Sequence, residues 1–253
     1  MLALARKRLS DWHWLAFFAA VLAAWGLLYA MQPPAGLAAG AALHHPHSLP
    51  PGVAGYPVVF AMWALMTAAM MAPTFVPALA TYDDLAGSGA ASRGGFFQLV
   101  AGYVLIWLGF AALAAGAQIA LSSATMLTPL GQSSSNWLTA GLLVGAGGYQ
   151  FSALKERCLS QCMQPFAFFM RHWRQTRWNA LGMGLRLGAL CLGCCWALML
   201  LAFVGGTMNL LWMGLATLFM VLEKLPDVSR FVVRPLGVAL IIAGLAVASG
   251  AWI

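Results

Sequence analysis

Residues 185–204 read LRLGALCLGCCWALMLLAFV, and this run is the most informative part of the chain for its fold class. It contains a single charged residue, Arg186, and three cysteines, Cys191, Cys194 and Cys195. The hydrocarbon core of a bilayer is about 30 Å thick, which an α-helix spans in about 20 residues. The stretch therefore predicts a transmembrane helix that carries three thiols.

The rest of the chain has the same apolar character. Of the 253 residues, 62% are hydrophobic and 8% are charged, whereas soluble domains carry about 25% charged residues. This composition excludes a soluble globular fold. The net charge of +7 would favour nucleic-acid binding in a soluble protein. Cationic loops also orient membrane helices, so we expect no nucleic acid as a partner.

Seven segments are apolar enough to cross the bilayer. They cover residues 12–30, 57–80, 96–121, 136–152, 185–204, 208–223 and 233–252. We therefore predict an all-α polytopic transmembrane bundle of about seven helices, which forms a single domain over residues 1–253. Only Gly205-Gly206 and Thr207 separate the fifth segment from the sixth, and a re-entrant pair is the alternative for these two.

The basic residues predict the orientation. The connections 31–56, 122–135 and 205–207 contain no Lys or Arg, so all 13 basic residues lie at the N-terminus and in or beside the other connections. Because such loops stay in the cytoplasm, we predict the N-terminus inside and the C-terminus outside. Residues 164–179 mix aromatic and arginine side chains, which predicts an interfacial amphipathic helix on the cytoplasmic side. Binding of a partner protein is the alternative for this segment.

Three thiols lie close together in the fifth segment. At about 100° per residue, Cys191, Cys194 and Cys195 project within an arc of roughly 100°. Met199 lies on the same side, one turn beyond Cys195. Thiolate and thioether sulfurs are soft ligands that favour Cu(I) over hard cations. The pattern predicts a metal or thiol-redox site, and packing of small buried hydrophobic side chains is the alternative.

Two further cysteines, Cys158 and Cys162, follow the fourth segment on the predicted cytoplasmic side. Their spacing of i, i+4 puts them on one face of a helix. The fifth segment begins on the same side, and its cysteines lie about 8–14 Å from its start along the axis. We therefore predict that all five thiols approach one another in the cytoplasmic half of the membrane.

Two more groups of side chains offer metal ligands. They are Met62, Met66 and Met70 in the second segment, and His44, His45 and His47 in the first outer loop. Methionines four residues apart form one stripe on a helix, which suits a ladder of thioethers that passes Cu(I) through the membrane; packing is the alternative. Imidazole suits copper, zinc and nickel. The histidines predict metal capture outside the membrane, and chance clustering in a loop is the alternative.

Charged residues are scarce near the membrane. Glu223 and Lys224 close the sixth segment on the cytoplasmic side, where they are placed to pair with each other. Glu223 lies at the depth of the thiols and is a candidate ligand or proton acceptor.

Pro73 and Pro77 follow the methionine stripe, and we expect them to kink or end the second helix. No Gly-rich phosphate loop and no HExxH motif is present, so we expect no nucleotide or hydrolytic chemistry.

Two clusters of residues carry a family resemblance. They are Tyr149-Gln150, Leu154-Lys155, Cys158-Leu159, Cys162 and Pro165 in the first, and Gly188, Cys191, Gly193 to Trp196, Leu198-Met199, Gly206, Met208-Asn209, Trp212-Met213 and Glu223-Lys224 in the second. Together with the methionines around residues 62–73, they resemble the DUF2182 family, described as predicted metal-binding integral membrane proteins of bacteria. The resemblance implies a multi-pass protein of the bacterial inner (cytoplasmic) membrane.

We therefore expect a protein that binds a soft metal, Cu(I) before zinc, for metal handling or delivery at or across that membrane. The expected partners are the lipid bilayer, the metal ion, and a metal-receiving protein or another membrane subunit. A membrane oxidoreductase is the second hypothesis, with Cys191 and Cys194 as its redox pair because a disulfide between adjacent cysteines is strained. A metal-free scaffold or assembly protein is the third.

Overall fold

The computed structural model describes residues 12–31, 55–88, 93–174, 176, 178–207 and 209–250. Within these residues the protein is all-α, as predicted. An isolated antiparallel β-bridge joins Leu127 and Ser133. The helices are α1 (Trp12–Ala30), α2 (Tyr56–Gly87), α3 (Arg93–Ser123), α4 (Asn136–Tyr149), α5 (Ala153–Cys162), α6 (Pro165–His172), α7 (Asn179–Leu200), α8 (Ala202–Gly205), α9 (Leu210–Leu222) and α10 (Ser229–Ala248).

Five helices in this described part are long and apolar enough to cross a membrane. They are α1, α2, α3, the continuous stretch of α7 and α8 over Asn179–Gly205, and α10. The helices α4 and α9, which cover the predicted fourth and sixth spans, have 14 and 13 residues. At 1.5 Å per residue each is about 20 Å long, shorter than a 30 Å hydrocarbon core. The number of full crossings therefore stays a prediction.

The helix α2 does not end at its prolines. It runs through Pro73 and Pro77 for a total of 32 residues, so of the two expected outcomes the end of the helix is wrong and the kink stays a prediction. Proline has no N–H, which deprives the carbonyl four residues earlier of its helical partner. For Pro73 this is the carbonyl of Ala69, and the indole Nε1 of Trp25 donates to it at 3.1 Å. A neighbouring helix thus replaces the missing bond.

Neighbouring helices in the first half of the chain run antiparallel. Trp14 in α1 donates to Asp83 near the end of α2 at 3.0 Å, whereas Trp25, later in α1, reaches Ala69, which lies earlier in α2. Between α2 and α3, Tyr56 donates to the Ala112 carbonyl at 3.0 Å. These contacts bring the start of α1, the end of α2 and the start of α3 to one end of the bundle.

The helix α7 that carries the cysteines packs most extensively on α3. Gly102 lies against the backbone of Leu181 and Leu185, and Gly188 lies against Ile106. The later residue of α3, Ile106, contacts a later residue of α7 than Gly102 does, so α3 and α7 run parallel. Small residues let two helix backbones approach closely. A methyl group at Gly102 would lie 2.4 Å from the Leu181 carbonyl oxygen, so this position needs glycine for the close approach.

The predicted amphipathic segment 164–179 is divided in the structure. The helix α6 covers eight residues, and α7 begins at Asn179 rather than at residue 185. Phe168 and Phe169 are buried in the protein core, while Phe166 is 60% exposed. One face of α6 therefore packs on the bundle, and its association with a membrane surface stays a prediction.

Candidate metal centre

The three cysteines of α7 form the centre of the site. Their spacing of i, i+3 and i+4 places them on one helix face, and their sulfur atoms all lie within 4.8 Å of one another. Cys191, Cys194 and Cys195 are 2%, 1% and 1% exposed. An ion about 2.3 Å from each sulfur holds two sulfurs at most about 4.6 Å apart. The 4.8 Å bound exceeds this maximum by about 0.2 Å, so a small movement of the thiols brings them to the dimensions of a metal–thiolate site, and all three are buried within the protein.

Cys191 is surrounded by hydrogen-bonding groups from three other elements. Lys224, directly after α9, donates from Nζ to the Cys191 Sγ at 3.0 Å. Tyr103 of α3 places its Oη 3.0 Å from the same sulfur, and Thr74 of α2 places its Oγ1 3.9 Å away. The Tyr103 ring is fixed by stacking on Phe75, with ring centroids 3.9 Å apart. The Lys224 ammonium is the assigned donor to this sulfur and stabilises a thiolate there, while the Tyr103 and Thr74 hydroxyls also donate to the Met71 carbonyl at 3.3 and 2.8 Å.

The positive charge of Lys224 is retained beside this sulfur. Burial, the largest single effect, lowers the pKa of its ammonium, but the attraction of Cys191 and, after it, of Cys195, Tyr103 and Cys194 together outweighs burial, so the pKa lies well above its usual value. A cation next to a thiolate offsets negative charge that the apolar surroundings would otherwise disfavour. Lys224 is therefore the structure's counter-charge for the cluster.

Glu223 has a different partner from the one expected. Its Oε2 accepts a hydrogen bond from Lys155 Nζ at 2.8 Å, and both side chains are 1% exposed. The expectation that Glu223 pairs with Lys224 is therefore wrong, because adjacent residues at a helix end point in different directions. A buried ion pair of this kind fixes the geometry of the elements that carry it. It holds α5 against the end of α9, next to Lys224.

The two cysteines of α5 lie against the same part of α7. A methyl group at Gly193 would lie 2.7 Å from the Cys158 sulfur, so Cys158 packs on the backbone between the other thiols. Cys162, one turn later on α5, is half-buried. Burial raises the pKa of the Cys158 thiol, which favours its neutral form. The sulfurs of the compact three-cysteine group are nevertheless those of α7.

The three methionines of α2 are buried, and α2 contacts Cys191 one turn beyond the last of them. Met62, Met66 and Met70 are 1%, 0% and 3% exposed. The next position in the same i, i+4 series is Thr74, which contacts Cys191. At 1.5 Å per residue, Met70 is therefore about 6 Å along the α2 axis from the residue that contacts the site. Met199 of α7 is fully buried one turn beyond Cys195.

A cavity of about 280 Å³ opens beside the cluster, and we call it the Cys191 cavity. Its lining includes Cys191 and Cys162, the hydroxyl-bearing residues Tyr103 and Thr81, and Lys224. These residues belong to five different elements, which explains why the cavity cannot be read from sequence spacing. It connects the buried thiols with the end of the bundle where α2 and α9 terminate.

His44, His45 and His47 lie outside the described residues, so their predicted role in metal capture stays a prediction. Tyr103 and Lys155 were not predicted as site residues from the sequence. Glu223 was the one partner predicted for Lys224. A lysine directly after an apolar helix was the available signal, because an ammonium there needs a buried anionic partner. Tyr103 offered no such signal, since a tyrosine within an apolar helix is common in packing.

Comparison with known proteins gives an independent result. The family model described as "PpoB2: Copper chaperone" matches residues 60–247, a range that contains every described residue of the site. No curated protein and no solved structure matches the chain. The matching family is metal-related, as the DUF2182 resemblance implied, while membership of DUF2182 itself stays a prediction. With most of its length matched by this model, the chain belongs to the PpoB2 copper chaperone family.

Proposed function

We propose that the protein binds Cu(I) on Cys191, Cys194 and Cys195 within a bacterial inner membrane and passes it to a receiving protein. The observation that carries the proposal is the distance of at most 4.8 Å between the three buried sulfurs. The three cysteine sulfurs, two of them ionised and the third neutral, provide soft ligands only, which suits Cu(I). Structural zinc sites in proteins have four ligands in a tetrahedron, so zinc fits this group less well.

The charges of the site support a monovalent ion. Two thiolates and one Cu(I) form a complex of net charge −1, which Lys224 offsets through its 3.0 Å contact with Cys191. Lys155 and Glu223 offset each other. The buried centre is then electrically neutral, as a low-dielectric environment requires.

The buried methionines provide the route to the cluster. We propose that Met62, Met66 and Met70 carry Cu(I) along α2 towards Thr74 and Cys191, with Met199 and the α5 thiols as further soft ligands near the cluster. In this scheme the three histidines of the first outer loop meet the metal outside. The antiparallel helices and the partition of the 13 basic residues support an orientation with the thiols nearer the cytoplasm.

Metal binding to the purified protein tests the proposal. We expect the reduced wild type to retain Cu(I) after desalting under anaerobic conditions. The triple variant Cys191→Ser/Cys194→Ser/Cys195→Ser should lose the Cu(I) that these three cysteines hold. Ala189→Ser is the matched control, because it adds a hydroxyl to the exposed face of the same helix. Equal retention by the wild type and the triple variant would remove the cluster as the binding site.

A thiol oxidoreductase is a second candidate, favoured by one observation. Lys224 and Tyr103 both contact Cys191, an arrangement that also activates a nucleophilic thiolate. This function predicts that a mild oxidant forms a reversible disulfide from Cys191, detected as loss of two alkylatable thiols. Thiols that stay fully alkylatable after oxidation, in a protein that binds Cu(I), would reject the oxidoreductase.

A further inference from the structure

We propose that the Cys191 cavity is a docking site for a low-molecular-weight anionic thiol that carries Cu(I), and that metal exchange begins at Cys191. The inference rests on the proposed function, because it names the chemical form in which the metal meets the protein. Cu(I) is bound by thiolates wherever they are available. A site at the membrane therefore exchanges the ion with a carrier thiol.

The size of the cavity exceeds what an ion needs. Its volume is about 280 Å³, close to the lower end of the range for pockets that hold small organic ligands, about 300 Å³. The exposed residues Pro77, Leu225 and Pro226 lie among its lining residues, whereas Cys191 is 2% exposed. The cavity thus leads from the surface to a buried thiol.

The depth of Cys191 determines the kind of carrier. A folded protein presents its cysteines on its own surface, and such a thiol cannot reach a sulfur that is 2% exposed at the base of a narrow cavity. A small flexible thiol can enter and place its sulfur there. We therefore favour a small molecule over a direct protein–protein transfer at this opening.

The polar groups of the cavity determine its charge preference. Among the described residues that line it, Lys224 is the one that carries charge, and Thr74, Thr81 and Tyr103 add hydroxyl groups. An ammonium attracts carboxylates, and hydroxyls bind them or peptide groups. The lining therefore favours a carrier with at least one carboxylate.

The lining also indicates which thiol meets the carrier first. Cys191 and Cys162 face the cavity, whereas Cys194 and Cys195 are not among its described lining residues. In the exchange, a bond forms between Cu(I) and Cys191 Sγ while one bond from Cu(I) to a carrier sulfur breaks. Cys191 enters as the thiolate that Lys224 stabilises, the carrier sulfur departs as a thiolate that takes a proton from solvent, and copper stays Cu(I) throughout. Cys194, whose sulfur lies within 4.8 Å of Cys191, then displaces the second carrier thiol in the same way.

The experiment compares three copper sources on the reduced, metal-free, full-length protein in detergent. The sources are the acetonitrile complex of Cu(I), Cu(I) bound to glutathione, and Cu(I) bound to the diethyl ester of glutathione, which has a similar size without the carboxylates. The rate of appearance of the ultraviolet Cu(I)–thiolate absorption is measured for each. We expect loading from glutathione to be about two- to fivefold faster than from the ester, as one partly screened ion pair provides.

Two sets of variants test the mechanism. Lys224→Met should make the rates from glutathione and its ester equal, whereas Lys224→Arg should keep the difference. Ala78→Leu and Thr81→Trp fill the cavity and should slow loading from glutathione, while the amount of Cu(I) taken from the acetonitrile complex stays unchanged. Ala61→Leu, on the exposed face of the same helix, is the matched control and should load like the wild type.

The outcomes separate the inference from the proposed function. Uptake from the acetonitrile complex with no preference for glutathione over its ester would overturn the carrier site alone. Loading from glutathione that is insensitive to both cavity-filling variants would overturn it as well. A folded protein that holds Cu(I) on a surface CxxC pair is tested as a fourth source, and faster loading from it would also overturn the carrier site. No uptake from any source would instead refute the proposed function.

Discussion

Replacing Lys224 with methionine should weaken Cu(I) binding without removing any ligand. The ammonium lies 3.0 Å from the Cys191 sulfur. Coulomb's law at an effective dielectric constant of about 20 gives an upper bound of about 5.5 kcal/mol for this pair. Lys224 is half-buried, so solvent screens part of this energy, and hydrogen bonds to charged groups contribute about 1.5–3 kcal/mol. We therefore expect an affinity loss of about tenfold to a hundredfold.

The sign of this effect follows from the charge of the bound state. A Cu(I) ion on two thiolates leaves a net charge of −1, and without Lys224 that charge is buried without a counter-ion. Competition with a Cu(I) chelator at fixed neutral pH measures the affinity. Lys224→Arg keeps the charge and should bind within a few-fold of wild type. Arg230→Met removes an exposed positive charge and controls for net charge. A Lys224→Met variant within twofold of wild type would refute the reasoning.

Three other predictions concern the elements around the cluster. Glu223→Gln should destabilise the protein by about 3–5 kcal/mol because it leaves Lys155 buried and unpaired, and the double variant Lys155→Met/Glu223→Leu should recover most of the thermal stability in detergent. Gly193→Ala should cost about 1–3 kcal/mol by displacing the Cys158 sulfur, whereas Gly141→Ala, with open space at its position, should be neutral. Since burial raises the pKa of the Cys158 thiol, its alkylation in the folded protein should be slower than that of a free thiol at neutral pH and should accelerate as the pH rises through that pKa.

Much of the fold was predictable because long apolar helices are encoded locally. The hydrophobic runs located the helices to within several residues, because the run of about 20 apolar residues that is visible in the sequence is also the segment that forms the helix. The spacing of Cys191, Cys194 and Cys195 was enough to put them on one face. Their burial and their sulfur distances were consequences of that face turning towards α3 and α5.

The parts that were not predictable depend on contacts between distant segments. The continuation of α2 beyond Pro73 depends on an indole 44 residues earlier in the chain. The partner of Glu223 lies 68 residues away in α5, and the partner of Lys224 lies 33 residues away in α7. A local sequence pattern indicates that a buried charge needs a counter-charge. The packing of helices that are distant in the sequence determines which side chain provides it. Tyr103 became part of the site for the same reason.

X-ray absorption at the copper edge shows directly which atoms hold the metal. On the wild type loaded with Cu(I) and desalted, we expect one copper per chain, in the Cu(I) state, with sulfur neighbours at about 2.3 Å. The Cys191→Ser/Cys194→Ser/Cys195→Ser variant should lose that sulfur shell. A first shell of nitrogen and oxygen alone in the wild type, or a sulfur shell unchanged in the triple variant, would contradict the assignment of Cu(I) to the cysteines of α7.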